Sequence, residues 1–313
     1  GDWDSIGPPP GFGDSLAADI VDVGGTIYVA YNDYELDGSG VFVLDTTNDT
    51  WDSENLYTGG KQITDLFMVN NELFMAVGDP SDSGGTYDLL HYTGTPGDWT
   101  PVIQNRPRII AGTYVSASHG TARDYVFLSR ARVFYGPDLT DDDDLNTFTD
   151  PSTAFDGIFQ DNEDFGGILY LSGPDDLYIS SRQGHIYYSD GADWTKSSTD
   201  DERPYTGMVW FEQLDGGTGG VVVGIQDLQS PERQTEEGGY YELPGGGVDS
   251  IVAPEGNGYS TTDMSETTVI DFFVDTDATP NALFVLTQGQ GLWRGEYGNS
   301  SGALFPDPQW THE

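Results

Sequence analysis

The sequence predicts an all-β protein, a six-bladed β-propeller made of four-stranded antiparallel blades. Three observations support this fold class. Short apolar runs recur at a nearly constant spacing, each run has an apolar neighbour on both sides, and an aromatic residue marks a fourth element in most repeats. Self-similarity at a period of about 40 to 50 residues is typical of propeller blades.

The first observation is a short apolar run that follows a turn and recurs six times. The first apolar residues of these runs are Ile27, Leu73, Tyr125, Leu177, Val221 and Leu283. Their spacings are 46, 52, 52, 44 and 62 residues. The runs are too short, and too rich in β-branched and aromatic residues, to predict helices.

The second observation is that each run has apolar partners before and after it. The upstream partners begin at Ile20, Leu66, Tyr114, Ile168, Met208 and Phe272. The downstream partners begin at Val41, Leu89, Val133, Ile186, Tyr240 and Leu292. These runs are nearly continuous rather than alternating, which indicates strands that are covered on both faces, as in stacked blades.

The third observation is an aromatic residue that marks a fourth, outer strand. It occurs at Trp51, Trp99, Phe148, Trp194 and Trp310. One repeat, near residues 248–252, lacks this aromatic. A seven-bladed ring and a pair of β-sandwiches are the alternatives that the pattern leaves open.

The predicted organisation is a single propeller domain over residues 1–313. The expected blades cover about 16–57, 62–104, 108–150, 166–199, 205–253 and 268–313. The segment around Trp3 matches the outer-strand sequence around Trp51, so residues 1–7 are a candidate ring-closing strand. The C-terminal residues 310–312 compete for the same role, and the sequence does not choose between them.

The charge of the chain predicts a halophilic protein. Asp and Glu number 53 against 11 Lys and Arg, which gives a formal net charge of -42, and only Lys61 and Lys196 are lysines. Such self-repulsion strains a compact fold at ordinary ionic strength. At about 1 M salt the Debye length falls to roughly 3 Å and the repulsion is largely screened. The same charge excludes nucleic acid as a partner, because phosphate binding needs clustered Lys and Arg.

The sequence lacks cysteine and lacks a membrane-spanning apolar stretch, and each absence excludes a class of structure. The chain has no cysteine, so disulfides and thiolate chemistry are excluded. No stretch approaches the roughly 18 consecutive apolar residues that span a bilayer, so membrane insertion is not expected.

Residues 185–194, His-Ile-Tyr-Tyr-Ser-Asp-Gly-Ala-Asp-Trp, resemble two known patterns. One is the Asp-box turn of sialidase-type propellers, and the other is the Tyr-Ser-Asp-Gly…Trp pattern of propeller-like proteins in tailed-virus particles. The segment departs from the Asp box because Asp190 and Gly191 are adjacent. The resemblance implies a structural hairpin remote from any catalytic centre. The acidic, lysine-poor composition in turn resembles proteins of haloarchaea and their viruses.

Motifs for catalysis are absent from the sequence. The Arg-Ile-Pro signature of sialidases is missing, and so are a nucleophile elbow, a P-loop and a dinucleotide fingerprint. The four histidines do not have metal-ligand spacing. The sequence therefore predicts a protein that is not an enzyme and has no organic cofactor.

Three long acidic insertions, residues 150–167, 228–239 and 253–266, are expected to enlarge one rim of the ring. Enlarged loops on a rigid scaffold are where recognition usually lies. The aromatic residues of these loops are the candidate binding residues, Phe155, Phe159, Phe165 and Tyr259. Aromatic anchors of this kind dominate many interfaces.

Two further kinds of site are candidates. Asp138, Asp141 and Asp143 lie in an acidic run that could supply oxygen ligands to a structural Ca²⁺, Na⁺ or K⁺ ion. Asn48 and Asn299 each begin an N-glycosylation acceptor sequence.

These features together predict a surface-displayed binding or structural module, extracellular and most specifically on a virion surface. The expected forms are a spike, a fibre head or a capsid-decorating protein that takes part in host attachment or particle assembly. Expected partners are other virion or cell-surface proteins and host glycans, within a multimeric assembly. The alternatives are a secreted or cell-surface haloarchaeal adhesin and an extracellular carbohydrate-active enzyme.

Overall fold

The computed structural model describes nineteen ranges of the chain. They are residues 9–11, 16–33, 38–45, 47–48, 50–52, 54–79, 86–115, 124–136, 146–147, 164–191, 194–197, 204–212, 219–226, 239–248, 251, 268–275, 282–288, 291–296 and 310–312. The chain divides into two compact units, Gly1–Ala117 with Ala122–Thr149, and Ser118–Thr121 with Asp150–Glu313.

The first unit contains three antiparallel sheets, here called blades one to three. Blade one is β1 (Leu16–Val23), β2 (Thr26–Asp33), β3 (Gly38–Asp45) and β4 (Thr50–Trp51). Blade two is β5 (Gln62–Val69), β6 (Glu72–Gly78), β7 (Tyr87–Tyr92) and β8 (Trp99–Arg106). Blade three is β9 (Ile109–Val115), β10 (Asp124–Ser129), β11 (Val133–Gly136) and β12 (Asn146–Thr147).

The second unit contains blades four to six. Blade four is β13 (Phe165–Leu171), β14 (Asp176–Ser181), β15 (Ile186–Ser189) and β16 (Trp194–Lys196). Blade five is β17 (Tyr205–Phe211), β18 (Gly220–Ile225) and β19 (Gly239–Pro244). Blade six is β20 (Val269–Asp275), β21 (Ala282–Thr287), β22 (Gly291–Glu296) and β23 (Trp310–His312).

The predicted fold class is confirmed at the level of its blades. All strand pairs within the six sheets are antiparallel, and strands lie side by side in chain order. Blade five has three strands in the described part of the chain, where four were expected. Its predicted outer strand is the one that lacked an aromatic marker. In its place Val248 is buried against the core of this blade.

The predicted six-fold register is confirmed in position. Ile27, Leu73, Tyr125, Leu177, Val221 and Leu283 are each the second residue of the second strand of their blade. The expectation of uniform burial is wrong for two of them. Four are at most 3% exposed, whereas Ile27 and Tyr125 are partly exposed. Tyr125 differs because its polar hydroxyl extends toward a carboxylate of blade two.

Neighbouring blades within each unit pack through shared apolar cores. In the first unit, Ala30 and Val41 of blade one join Leu66, Leu73 and Met75 of blade two in one cluster. In the second unit, Val222 and Tyr240 of blade five join Val269, Leu283 and Val285 of blade six. Strand β18 also contributes Val221 and Val223 to a cluster with blade four, so its alternate residues enter the cores on its two sides, which explains its continuous apolar sequence.

Every inner strand carries a β-bulge close to its first residue. The extra residues lie between Ala17 and Asp19, Ile63 and Asp65, Ile109 and Ala111, Phe165 and Gly167, Tyr205 and Met208, and Val269 and Asp271. In blade four the bulge brings Gly166 against blade five, where a Cβ atom would lie 2.2 Å from the carbonyl oxygen of Tyr205. Only glycine allows this close approach of two backbones.

The last strand shows which of the two candidate segments, residues 1–7 or residues 310–312, pairs with blade six. Strand β23 pairs with β22 and is the outer strand of blade six. The C-terminal candidate therefore completes the sixth blade, while residues 1–7 lie outside the described residues. Within the described ranges, no helix has the length and apolarity needed to cross a bilayer.

Candidate functional site: an open pocket in blade one

Phe165, one of the predicted binding residues, lies in a strand and not in the loop where it was expected. Phe165 is not a loop residue but the first residue of β13, where it is 4% exposed. Its ring packs edge-on against Tyr187 with the ring centroids 6.3 Å apart. The prediction of Phe165 as an exposed anchor is therefore wrong, because the residue belongs to the core of blade four.

Most of the other predicted site residues lie outside the described residues. These are the candidate binding residues Phe155, Phe159 and Tyr259, the candidate cation ligands Asp138, Asp141 and Asp143, and the candidate glycosylation site Asn299. Among the residues that the structure does describe, no group of three His, Cys, Asp or Glu side chains could hold a metal ion.

Asn48 lies in an exposed turn between β3 and β4. Its side-chain amide donates a hydrogen bond to Oδ2 of Asp45 at 2.7 Å. The same carboxylate accepts the backbone N–H of Thr47 at 2.9 Å. The side-chain amide of Asn48 and the backbone of Thr47 lower the pKa of Asp45, so this turn holds a permanent negative charge.

The segment that resembles the Asp box has a structural role in the described residues. Ser189, at the end of β15, is fully buried, and its Oγ accepts the backbone N–H of Gly191 at 3.1 Å. Trp194 begins β16 and is 7% exposed. The hydroxyl of Tyr188 donates to Asp176 at 2.9 Å. This part of the segment is a packed hairpin, as the resemblance implies.

Sequence analysis did not identify an open pocket of about 680 Å³ in blade one. Its lining consists of Gly25, Thr26, Val43, Leu44, Asp45, Thr50, Trp51 and Asp52. The pocket lies at the outer edge of the blade, where the two-residue strand β4 pairs with the end of β3. The β1–β2 turn beside it is Gly24-Gly25, and both glycines have positive φ angles, 61° and 86°.

Trp51 gives the pocket an aromatic wall. It is half-buried, and its ring lies 5.6 Å from that of Tyr31 at an interplanar angle of 90°. Phe42, which is 2% exposed, packs behind it at 6.5 Å between ring centroids. These contacts fix the indole in place, so the wall is preformed rather than assembled on binding.

Polar groups at the rim of the pocket remain available. In the described part of the chain, the hydroxyls of Thr26 and Thr50 and the carboxylate of Asp52 make no hydrogen bond or ion pair. The backbone N–H of Asp52 donates to the carbonyl oxygen of Val43 at 2.9 Å, which holds Asp52 against the edge of β3. By the strand register, Trp51 and Leu44 lie on one face of the sheet, and the side chains of Thr26, Thr50 and Asp52 lie on the other.

A second polar group connects blades two and three. Tyr125 donates a hydrogen bond from its hydroxyl to Oε2 of Glu72. Nε2 of His91 lies 3.7 Å from Oε1 of the same carboxylate, and the His91 ring stacks on Phe74 with the ring centroids 5.0 Å apart. Burial lowers the pKa of His91, and the nearby Glu72 only partly offsets this. Burial and the hydrogen bond with Glu72 raise the pKa of Tyr125 to about 12.

Comparisons with known proteins bear on the fold and on one expectation about activity. No family model and no curated protein sequence matches the chain. A luciferin-regenerating enzyme is similar to the chain at 12% identity, over 71% of this chain and 74% of that one, with a TM-score of 0.47. The prediction that the chain is not an enzyme is corrected by this match to an enzyme. The match itself assigns no activity to this chain.

A second solved structure matches more of the chain. It is a chain of the mitotic checkpoint complex, similar at 9% identity over 96% of this chain and 83% of that one, with a TM-score of 0.57. At this identity the likeness shows the fold alone. Together with the six antiparallel blades in chain order, it shows that the protein is an all-β, six-bladed β-propeller.

Proposed function

We propose that the protein is a recognition module displayed on a surface that faces concentrated salt. In its most specific form it is a virion protein of a haloarchaeal virus, a spike, fibre head or capsid decoration that contacts the host or neighbouring virion proteins. The main support is the open pocket in blade one, whose lining includes the fixed indole of Trp51 and several polar residues on a β-sheet scaffold.

The charge of the chain supports the concentrated-salt part of the proposal. Eleven basic residues can neutralise only a minority of 53 acidic ones, so most carboxylates depend on water and salt cations. Self-repulsion of this size favours an environment in which it is screened. Multi-molar salt surrounds the outer surface of a halophilic cell and its viruses, which is where a displayed module would work.

One of the structural neighbours supports protein partners. It is a chain of the mitotic checkpoint complex, so a protein of similar fold works within an assembly. Two acidic partners in molar salt would meet through apolar contacts or bridging cations, because charge attraction between them is absent. The rival proposal, a secreted or cell-surface haloarchaeal adhesin, uses the same pocket and the same salt adaptation.

The test is to locate the native protein. Virus particles and envelopes of uninfected cells are purified on density gradients in multi-molar NaCl, and each fraction is probed with an antibody against the folded chain. Sedimentation with particles supports the virion form, and sedimentation with envelopes of uninfected cells replaces it with the adhesin. A protein found in neither fraction, but only inside cells, would overturn the proposal. Purified protein added after lysis controls for adsorption.

A further inference from the structure

We propose that one end of blades two and three binds an acidic segment of a partner protein through exposed arginines. This arginine end is defined by Arg106, Arg130 and Arg132, which lie where β8 leads into β9 and where β10 turns into β11. The inference rests on the proposed function, because it names the chemistry of the protein partner that a displayed recognition module takes.

The basic residues of the first unit are gathered at the arginine end. Strand pairing in blade two aligns the start of β5 with the end of β8, and in blade three it places the start of β9 beside the end of β10. Every basic residue of this unit that the structure describes lies at this end: Lys61, Arg106, Arg108, Arg130 and Arg132. The opposite end of the same blades carries carboxylates, those of Glu72, Asp98 and Asp124. The two ends of these blades therefore differ in the sign of their charge.

Three of the five basic residues have no carboxylate of their own. Lys61 pairs with Asp88, and Arg108 pairs with Asp65. In the described part of the chain, the guanidinium groups of the other three make no hydrogen bond or ion pair, and all three residues are exposed. The chain has 53 acidic residues for 11 basic ones, so an arginine without a carboxylate is unusual in it. These arginines are available to a carboxylate from another molecule.

Arg108 shows how this end of the blades holds a carboxylate. Its Nε donates to Oδ2 of Asp65 at 2.7 Å, and its Nη2 donates to Oδ1 of the same group at 2.8 Å. Nη2 also donates to the carbonyl oxygen of Thr64 at 3.1 Å. Two parallel hydrogen bonds of this kind are the geometry in which guanidinium and carboxylate groups bind each other best. Arg106, two residues earlier in the chain, presents the same kind of group to solvent.

The turn that carries Arg130 and Arg132 is held by Ser129. The Oγ of Ser129 accepts the backbone N–H of Ala131 at 3.3 Å and that of Arg132 at 2.9 Å. The backbone N–H of Ser129 donates to the carbonyl oxygen of Arg132 at 2.8 Å, and Ser129 is fully buried. The backbone from which both arginines extend is thus fixed before a partner arrives, which lowers the entropic cost of binding.

Concentrated salt favours direct contact at this end over long-range attraction. At about 1 M salt the Debye length is roughly 3 Å, so the arginines do not attract a distant partner. Paired guanidinium and carboxylate groups meet at about 2.7–2.9 Å, within that length, and keep their hydrogen bonds there. Two acidic proteins have no net charge attraction. The arginine end therefore offers an acidic partner a contact that the remaining acidic surface does not offer.

The spacing of the arginines suits an extended acidic segment. Ile109 pairs with Ser129, and Arg106 lies three residues before Ile109. At most about 11 Å of backbone therefore separates Arg106 from this pair, while Arg130 and Arg132 follow it on the other strand. Side chains that extend from both sides of one strand pair can bind several carboxylates along a peptide. Nucleic acid suits this end less, because 53 carboxylates elsewhere on the chain repel its phosphates.

The test uses the whole protein, labelled with nitrogen-15, in multi-molar NaCl with a hexaglutamate peptide as the probe. The Nε–H signals of the arginines show by NMR which guanidinium groups contact the peptide. We expect the signals of Arg106, Arg130 and Arg132 to shift. Arg132→Gln should weaken binding about threefold, and Arg130→Gln with Arg132→Gln about tenfold. Lys196→Gln in blade four removes the same charge as Arg132→Gln and is the matched control, which should leave binding unchanged.

Four outcomes would overturn the inference. These are no shift of the three arginine signals, equal affinity in the folded double variant, and binding of inorganic phosphate or duplex DNA in place of the peptide. The fourth is self-association without peptide that the double variant loses, which would make a second copy of this chain the occupant. Each differs from failure of the proposed function. If the protein sediments with particles or envelopes but does not bind hexaglutamate, only this inference fails. If it binds the peptide but is found only inside cells, only the proposed function fails.

Discussion

The hydroxyl of Tyr125 in blade three donates a hydrogen bond to the carboxylate of Glu72 in blade two, and both residues lie at the start of the second strand of their blades. This contact joins two blades at the same end of their strands. Glu72 is partly exposed, so solvent weakens the interaction, and His91 is the other titratable group that faces it.

Replacing Tyr125 with Phe is expected to destabilise the protein by about 1 kcal/mol, since a hydrogen bond to a partly exposed carboxylate is lost. The pKa of Tyr125 is raised to about 12 from about 10 in an unfolded chain. The neutral phenol of Tyr125 therefore stabilises the folded protein fully below pH 10, and this stabilisation is lost as the pH rises toward 12. Urea unfolding from pH 8 to 11.5 should therefore show a steeper loss of stability for the wild type than for Tyr125→Phe. Parallel curves would contradict this.

His91 is expected to make stability fall on the acid side. Burial lowers its pKa in the folded state, below the value of about 6.5 in an unfolded chain. The neutral ring therefore stabilises the fold above pH 6.5, and this contribution disappears as the pH falls through the folded-state pKa. His91→Gln, which has no charge to gain, should lose less stability than the wild type between pH 7 and pH 5. Thermal melts at constant salt measure this difference, and His185→Gln is the control.

The melting temperature is expected to rise steeply between low and multi-molar NaCl or KCl. The reason is the net charge of -42, whose self-repulsion salt screens. Sucrose at matched osmolality separates the two effects of salt, because it favours compact states without screening charge. A melting temperature that rises equally in sucrose, or that is independent of salt, would remove the argument for a halophilic protein.

Two leucines of the same strand provide a test of the blade register. Leu283 is fully buried and Leu286 is 41% exposed, both in β21. Leu283→Ala should cost about 2–5 kcal/mol because it removes buried methyl groups and leaves a cavity. Leu286→Ala should change stability by less than about 1 kcal/mol. Urea unfolding at constant salt measures both, and equal costs would show that the register is wrong.

Asn32 is expected to be important for the contact between blades one and two. It is 4% exposed, its amide donates to the carbonyl oxygen of Ile63 at 2.8 Å, and its Oδ1 accepts the N–H of Ile63 at 2.8 Å. Asn32→Ala leaves both backbone groups of Ile63 without a partner and should cost about 2–3 kcal/mol. Asn48→Ala in an exposed turn is the control and should cost less than about 1 kcal/mol. Equal effects would contradict this role.

The fold was predictable because its signal is repeated. The second strands that contain Leu73 and Val221 are almost wholly apolar, since each packs on both sides, and a similar run appears six times along the chain. Phe165 was misplaced because an aromatic at the end of an acidic segment has the same local sequence signal in a loop or in a strand. Only its packing against Tyr187 distinguishes the two.

The pocket could not be predicted from the sequence in the same way. Trp51 matches the outer-strand pattern of the other blades, so the sequence pattern marks it only as part of the fold. Strand length does not distinguish it either, because β4 has two residues and so does β12 of blade three; the pocket depends on the local arrangement of the β1–β2 turn and the β3–β4 edge. Strand ends of this kind depend on local hydrogen bonds, such as that from Asp52 to Val43, which leave no periodic trace in the sequence.

The bulges at the start of the inner strands have a consequence for insertions and deletions in this chain. Side chains in a strand alternate between its faces, so loss of a single residue reverses every position beyond it. Thr64 is the extra residue of the bulge in β5. Its removal would leave a regular pairing with β6, and Leu66 and Phe67 would keep the faces that they have now. The bulge supplies one spare residue there, so single-residue deletions should be tolerated at Thr64 and lethal to folding at Phe67.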